Sequence, residues 1–169
     1  MFKSSIRKIA VMTSGGDAPG MNPCIRAVVR TALVNNVAVM GVENGYEGLI
    51  HGAFISLGAR DVGGILQRGG TILRTARCLE FHEPRGQREA IRQMNNAEID
   101  GLIVIGGDGS LNGAQALASQ GVPVVGVPGS IDNDIYGTDM AIGVDTALNT
   151  IVDAIDKLRD TASSHNRAF

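Results

Sequence analysis

Four short apolar runs decide what this chain can fold into: Ile6–Met12, Val37–Val42, Gly101–Ile105 and Val122–Val127. Their centres, IAVM, VAVMGV, LIVI and VPVVGV, are near-continuous. A strand with one face in water would alternate instead, so these read as strands covered on both faces. Helical patterns separate them. Ile25, Val28, Val29, Ala32 and Leu33 recur at helical spacing, with Asn22 expected as N-cap and Pro23 at the first helical position. Arg85–Asn96 and Leu111–Ser119 read as further helices. From Asp145, the positions Leu148, Ile151, Val152, Ile155 and Leu158 mark a long amphipathic one. The stretch 43–80, broken by glycines, gives no assignment. Strands alternating with helices predict a doubly wound, mostly parallel α/β fold.

Ligands of such sheets sit outside the carboxyl ends of the strands. Three loops occupy those ends here: TSGGDAPGMN, IGGDGS and PGSIDND. The 23 glycines, roughly twice ordinary usage, gather at such strand ends and are neither linker nor repeat. A net charge of −2 without a Lys/Arg cluster excludes a nucleic-acid footprint. Aromatics at 4% leave no platform for stacked bases. No apolar run approaches the ~18 residues of a membrane span, and the first is too short for a signal sequence. Cys24 and Cys78 lie far apart without CxxC spacing, as expected of reduced thiols in a cytoplasmic protein.

Each loop has a chemical reading and a plainer one. In TSGGDAPGMN, Gly15, Gly16 and Gly20 let backbone approach an anion at a helix start, or simply make a tight turn. It matches neither GxGxxG nor the Walker pattern. In IGGDGS, Asp108 offers one oxygen ligand beside Gly107 and Gly109, and Ser110 caps a helix or donates to phosphate. Magnesium suits a lone carboxylate plus phosphate oxygens, whereas an aspartate holding a turn is the alternative. In PGSIDND, an extended backbone would point Asp132 and Asp134 to one side, one for metal and one for a proton. An Asx turn is the competing reading. Arg74 and Arg77 pair with phosphate or face solvent, and so do Arg26 and Arg30, four apart on the first helix. His51, His82 and His165 share no metal-ligand spacing. Without GxSxG or HExxH, hydrolase triads and zinc proteases have no support. Phosphate loops, a metal carboxylate and a candidate base together fit phosphoryl transfer.

The motifs SGGDAPGMN, NGYEGL, GGT…AR, IGGDGS, PGSIDNDIYGTD and AIDKLRDTASSHNR occur in one order. From about Ile6 to the last residue, the chain resembles the bacterial ATP-dependent 6-phosphofructokinases. The resemblance implies transfer of the ATP γ-phosphoryl group to the 1-hydroxyl of fructose 6-phosphate, in glycolysis and with Mg2+. By resemblance, Gly15, Tyr46, Arg77, Cys78, Gly107, Gly109 and Ser110 lie on the nucleotide side, and Asp108 holds the magnesium. Ser130, Ile131 and Asp132 meet the sugar phosphate, with Asp132 as catalytic base and Asp134 supporting metal and transition-state charge. Arg167 matches an arginine that reaches a neighbouring subunit's sugar phosphate. Arg26, Arg30 and Arg159 match an allosteric site for an ADP-type effector between subunits of a homotetramer.

The chain departs from the family at several positions. Ser130 stands for the usual threonine, Arg74-Thr75 for Gly-Ser, Pro23-Cys24 for two alanines, and Ala59 for an effector-site arginine. Pyrophosphate-dependent relatives carry Asp where Gly109 stands and Lys where Gly129 stands, so the two glycines predict ATP as donor. Family chains continue for about as many residues again. Residues 1–143 are therefore expected to be a nucleotide-binding domain and 144–169 the start of a sugar-phosphate domain. This piece alone is expected to be inactive. The competing expectations are a catalytically inactive nucleotide-binding or regulatory module of the same fold, and a kinase of the NAD or diacylglycerol type. The latter families lack the PGSIDND loop.

Overall fold

A computed structural model describes residues 6–165. Its strands are β1 (Lys8–Ser14), β2 (Ala38–Val42), β3 (Phe54–Ser56), β4 (Gly101–Gly106) and β5 (Val124–Pro128). The helices are α1 (Met21–Val34), α2 (Gly45–His51), α3 (Pro84–Asn96), α4 (Asp108–Ala118) and α5 (Val144–His165). The sheet order is β3-β2-β1-β4-β5, parallel except where β3 pairs antiparallel with β2. The expected doubly wound α/β architecture is what the chain adopts. The path leaves β1 toward β2 and returns to β4 on its other side, so the topological switch point lies between β1 and β4.

The central strands β1 and β4 are covered on both faces, as expected of near-continuous apolar runs. Strand β5 lies at the sheet edge and leaves Val125 60% exposed, so the expectation fails for VPVVGV. Ala10 and Met12 of β1 and Leu102 and Val104 of β4 pack under α2, α3 and α4, against Leu49, Met94 and Leu117. Val11 and Ile105 face the other way, onto Met21, Ile25 and Val29 of α1 and the loop residues Val62, Ile65 and Leu73. A third small cluster, Ile135, Ala141 and Val144 against Leu111, lies under the loop between β5 and α5.

Several local expectations are corrected. Helix α1 starts at Met21 behind Gly20, so Asn22 is inside it and caps nothing. Its buried amide instead donates to the Arg68 carbonyl at 3.0 Å and accepts the Ile72 N–H at 2.8 Å. That bridge fastens the segment 68–72 to the start of α1. Helix α4 starts at Asp108, so Ser110 lies within its first turn and is not its cap. The unassigned stretch contains α2 and β3. Asn44, in the left-handed region at φ 59°, turns the chain from β2 into α2.

Apart from Val144, α5 buries none of its residues, and Leu148, Ile151, Val152, Ile155 and Leu158 are each about half exposed. Its apolar stripe is the one predicted by spacing, and no described element covers it.

Candidate functional site

Three strand ends build one cleft at the switch point. At the first, Thr13 is fully buried, and its hydroxyl meets that of Thr71 at 2.8 Å and the Arg74 carbonyl at 3.1 Å. The Asn44 N–H donates to the Leu73 carbonyl at 2.9 Å. These bonds carry the 71–78 segment over the end of β1 and bring Arg77 to the cleft wall.

At the second strand end, Gly106 lies against the Ser14 carbonyl oxygen, and a Cβ there would also stand 2.7 Å from the Ser110 hydroxyl. Any side chain would push the two strand ends apart. Gly107 follows in extended conformation and its carbonyl accepts the N–H groups of Ser110 and Leu111, each at 3.0 Å. The first N–H groups of α4, on Asp108 and Gly109, have no intrahelical partner, so the cleft receives the positive end of the helix. Asp108 is exposed there, its carboxylate accepting from the Asn112 amide at 3.2 Å.

At the third, the Gly129 N–H donates to the Gly106 carbonyl at 2.9 Å, which fixes the start of the PGSIDND loop beside the second loop. The backbone then turns. Asp132 N–H donates to the Ser130 hydroxyl at 3.3 Å, and Asn133 takes a left-handed φ of 50°. Asp132 and Asp134 are thus separated by a turn and are not two teeth of an extended segment. Both nevertheless line the cleft.

The far wall rests on Tyr46. Its ring stacks on Phe81 with centroids 3.9 Å apart and planes at 25°. Its hydroxyl donates to the Ser110 carbonyl at 2.6 Å. Burial pushes the phenol well above the ordinary tyrosine range, so it stays a donor. Helix α4 meets the ring at Gly113, where a Cβ would stand 2.6 Å from the hydroxyl.

The cleft holds about 1000 Å³, room for a nucleotide. Gly15, Tyr46, Arg77, Cys78, Gly107, Asp108, Gly109, Ser110, Ser130, Ile131, Asp132 and Asp134, singled out in the sequence, all line it. Arg26, Arg30 and Arg159 do not. Arg26 donates to the Val62 carbonyl at 2.8 Å, Arg30 is exposed on α1, and Arg159 lies 3.4 Å from Asp156 on α5. Arg167 lies outside the described residues. Polar wall residues that sequence reasoning did not assign to the site include Asp17, His82, Gln87 and Asn112. Asp17 sits within SGGD and was legible as a loop carboxylate. His82 and Gln87 reach the wall only because the chain from Thr71 onward folds over β1, which no local pattern announces.

Asp17, Asp108, Asp132 and Asp134 face Arg77 alone among the cleft's described charged residues, an excess of three negative charges. A phosphorylated ligand would be repelled unless a divalent cation came with it. Among the described residues, no three His, Cys, Asp or Glu side chains form a metal cage. One or two carboxylates facing phosphate oxygens are what Mg2+ accepts, so the donor set fits that ion.

Fold and site together define a doubly wound α/β protein with an acidic, glycine-lined cleft at its switch point. The phosphofructokinase profile matches residues 8–169, and the chain belongs to that family. It is 58% identical over 164 residues to the ATP-dependent 6-phosphofructokinase of Macrococcus caseolyticus, covering 97% of this chain and 51% of that one. Identity to the enzyme of the same name from Thermotoga neapolitana is 59% over 165 residues, covering 97% and 52%. The solved phosphofructokinase of Saccharomyces cerevisiae superposes with a TM-score of 0.85 at 43% identity, over 96% of this chain and 25% of that one. The chain spans about half the length of the curated relatives it matches.

Proposed function

We propose that this chain supplies the donor site and the base for Mg2+-dependent transfer of the γ-phosphoryl group of ATP to the 1-hydroxyl of fructose 6-phosphate. The products are fructose 1,6-bisphosphate and ADP. The observation that carries this reading is the convergence of three loops from different strands on one cleft, with Asp108 on one loop and Asp132 and Asp134 on another. The names of the relatives agree with it.

Phosphoryl transfer asks a protein chiefly for position and charge balance. The backbone of Gly15 and the start of α4 receive the donor's phosphates, and Arg77 supplies a fixed guanidinium to them. Asp108, with Asp134 in support, would hold Mg2+, whose charge offsets that of the transferring phosphate. Asp132 accepts the proton of the acceptor hydroxyl, and Ser130 and Ile131 frame that hydroxyl's side of the cleft. Tyr46 and Phe81 contribute an aromatic part of the cleft wall, joined to the first turn of α4 through Ser110.

ATP is the donor on this reading. A side chain at Gly109 would point into open cleft, where no atom lies within 4 Å of its Cβ position, and would occupy nucleotide space. Gly129 leaves the cleft without a lysine to neutralise a pyrophosphate. Arg26, Arg30 and Arg159 are assigned to an ADP-type effector site of a homotetramer, and Arg167 to a neighbouring subunit's sugar phosphate. Residues 1–143 form the nucleotide unit, residues 144–169 open the sugar-phosphate unit, and the protein acts in the cytoplasm. No helix among the described residues is long and apolar enough to cross a membrane. With Arg77 the only described guanidinium at the cleft, the 169-residue chain alone is expected to give no turnover.

The test is a coupled assay of fructose 1,6-bisphosphate formation in the protein as its gene encodes it, with ATP or pyrophosphate as donor. Activity with ATP, lowered on the order of 10²–10⁴-fold by Asp132→Ser, is the expected result. Turnover with pyrophosphate alone overturns the donor, an unchanged Asp132→Ser rate overturns the base, and ATP binding without transfer makes the chain a binding module.

A further inference from the structure

The loop from Gly129 to Gly143 carries both Asp132 and Asp134, and its shape depends on the residue between them. Asn133 stands in the left-handed region, which asparagine tolerates better than other non-glycine residues. Its side-chain oxygen accepts the Ala141 N–H at 2.8 Å, and its amide nitrogen donates to the Asp139 carbonyl at 3.2 Å. Its own N–H closes the turn onto the Ser130 carbonyl at 3.4 Å. One side chain therefore ties the aspartate turn to a strap made of residues 139–143.

The strap is anchored on its other side. Ala141 is buried with Ile135 and Val144 against Leu111. The Ile142 N–H donates to the Pro128 carbonyl at 3.0 Å, at the end of β5. Beyond it, main chain meets main chain: a Cβ on Gly20 would lie 2.6 Å from the Ile142 carbonyl carbon, and one on Gly143 would fall onto the Gly20 nitrogen. The strap thus touches the first glycine loop directly and the aspartates through Asn133.

We infer that Asn133 is a positioning residue, whose amide latch sets Asp132 and Asp134 relative to the glycine loop that receives the donor. Its catalytic meaning rests on the phosphoryl-transfer reading proposed above. Both aspartates are exposed and no hydrogen bond of their own side chains ties them down among those described, so the backbone turn beneath them defines where they point. A reacting group displaced by about 1 Å can lose on the order of 10² in rate. Asn133 itself is exposed and its bond to Asp139 lies at the surface, whereas its bond to the buried Ala141 is part-buried.

The test is Asn133→Gly in the protein as its gene encodes it. Glycine keeps the left-handed backbone without strain and removes the latch, while adding backbone freedom that a second variant must control for. At saturating fructose 6-phosphate, kcat should fall about 10- to 100-fold while the KM for ATP stays within about twofold. Amide hydrogen exchange in 139–144 should accelerate at Ala141. Asn133→Ala, which adds strain but not flexibility, should show the same kcat loss. A wild-type kcat in Asn133→Gly overturns the positioning role. So does a loss shared equally by kcat and the KM for ATP, or one confined to the glycine variant, because general loosening would give either. Unchanged exchange at Ala141 overturns the latch whatever the rates. If the unsubstituted protein transfers no phosphoryl group, the proposed function fails, and the exchange result alone decides the latch.

Discussion

The hydroxyl of Tyr46 donates to the carbonyl oxygen of Ser110 across 2.6 Å, joining α2 to the first turn of α4. The bond stands behind the cleft wall, where Ser110 and Gly109 face the ligand space. Tyr46→Phe keeps the stack on Phe81 and removes the side-chain donor that the Ser110 carbonyl has in addition to its place in the α4 ladder. We expect a loss of about 1 kcal/mol, read as a fall in Tm of roughly 2–4 °C. Gly113→Ala puts a methyl 2.6 Å from the same hydroxyl and should cost about 1–3 kcal/mol.

The Tyr46 phenol gives stability a defined alkaline limb. Burial raises its pKa in the folded state, so folding holds a proton that the unfolded chain releases. Its contribution is fully present below pH ~10, the ordinary tyrosine value, and is lost as pH rises beyond it toward the raised folded value. Between about pH 10 and 11 the loss approaches ~1 kcal/mol. The Cys24 thiol, also raised by burial, acts in the same direction from a lower starting pH. Urea midpoints measured from pH 8 to 11 should decline, and Tyr46→Phe should flatten the part above pH ~10.

Asp108 stands at the start of α4, exposed to the cleft, with one bond to Asn112. Asp108→Asn preserves size and removes a charge from the proposed magnesium position. The Mg2+ concentration for half-maximal rate should rise by at least about 10- to 100-fold. Titrating the metal at fixed ATP checks this; an unchanged metal requirement would move the ion to another carboxylate.

Gly109→Asp separates stability from donor use. The position is helical with open space around it, and an acid in the first turn of a helix is favourable by about 0.3–1 kcal/mol. Thermal melting should show Tm unchanged or slightly raised. Steady-state kinetics should show kcat/KM for ATP reduced by on the order of tenfold or more, as the new carboxylate occupies cleft space.

Much of this was legible in the sequence because single side chains report both faces of a strand. Met12 and Val11 belong to different cores, so a run without polar interruption at that point could only be a covered strand. Gly15, Gly107, Asp108, Gly109, Ser110, Ser130, Asp132 and Asp134 were legible because glycine, aspartate and serine cluster at strand ends, where a doubly wound sheet must place its ligand. Tyr46, Cys78 and Ile131 came from the family resemblance alone. What escaped depends on contacts between distant segments. Asn22 looks like a cap by position, yet its amide serves a loop nearly fifty residues on. Helix α2 has a glycine at its first and fourth positions, which hides it from periodicity. The turn between Asp132 and Asp134 is set by Asn133 and its bonds to 139–141, so spacing alone suggested an extended segment that is not there.

The contact between Gly20 and Gly143 also bears on how such a cleft can vary over evolutionary time. The obstructing atoms on each side are main chain, so a substitution at either glycine has no side chain opposite that could shrink to compensate. The two positions would stay fixed together and show no correlated exchange. A pair this close in space would therefore leave no covariation between its two positions.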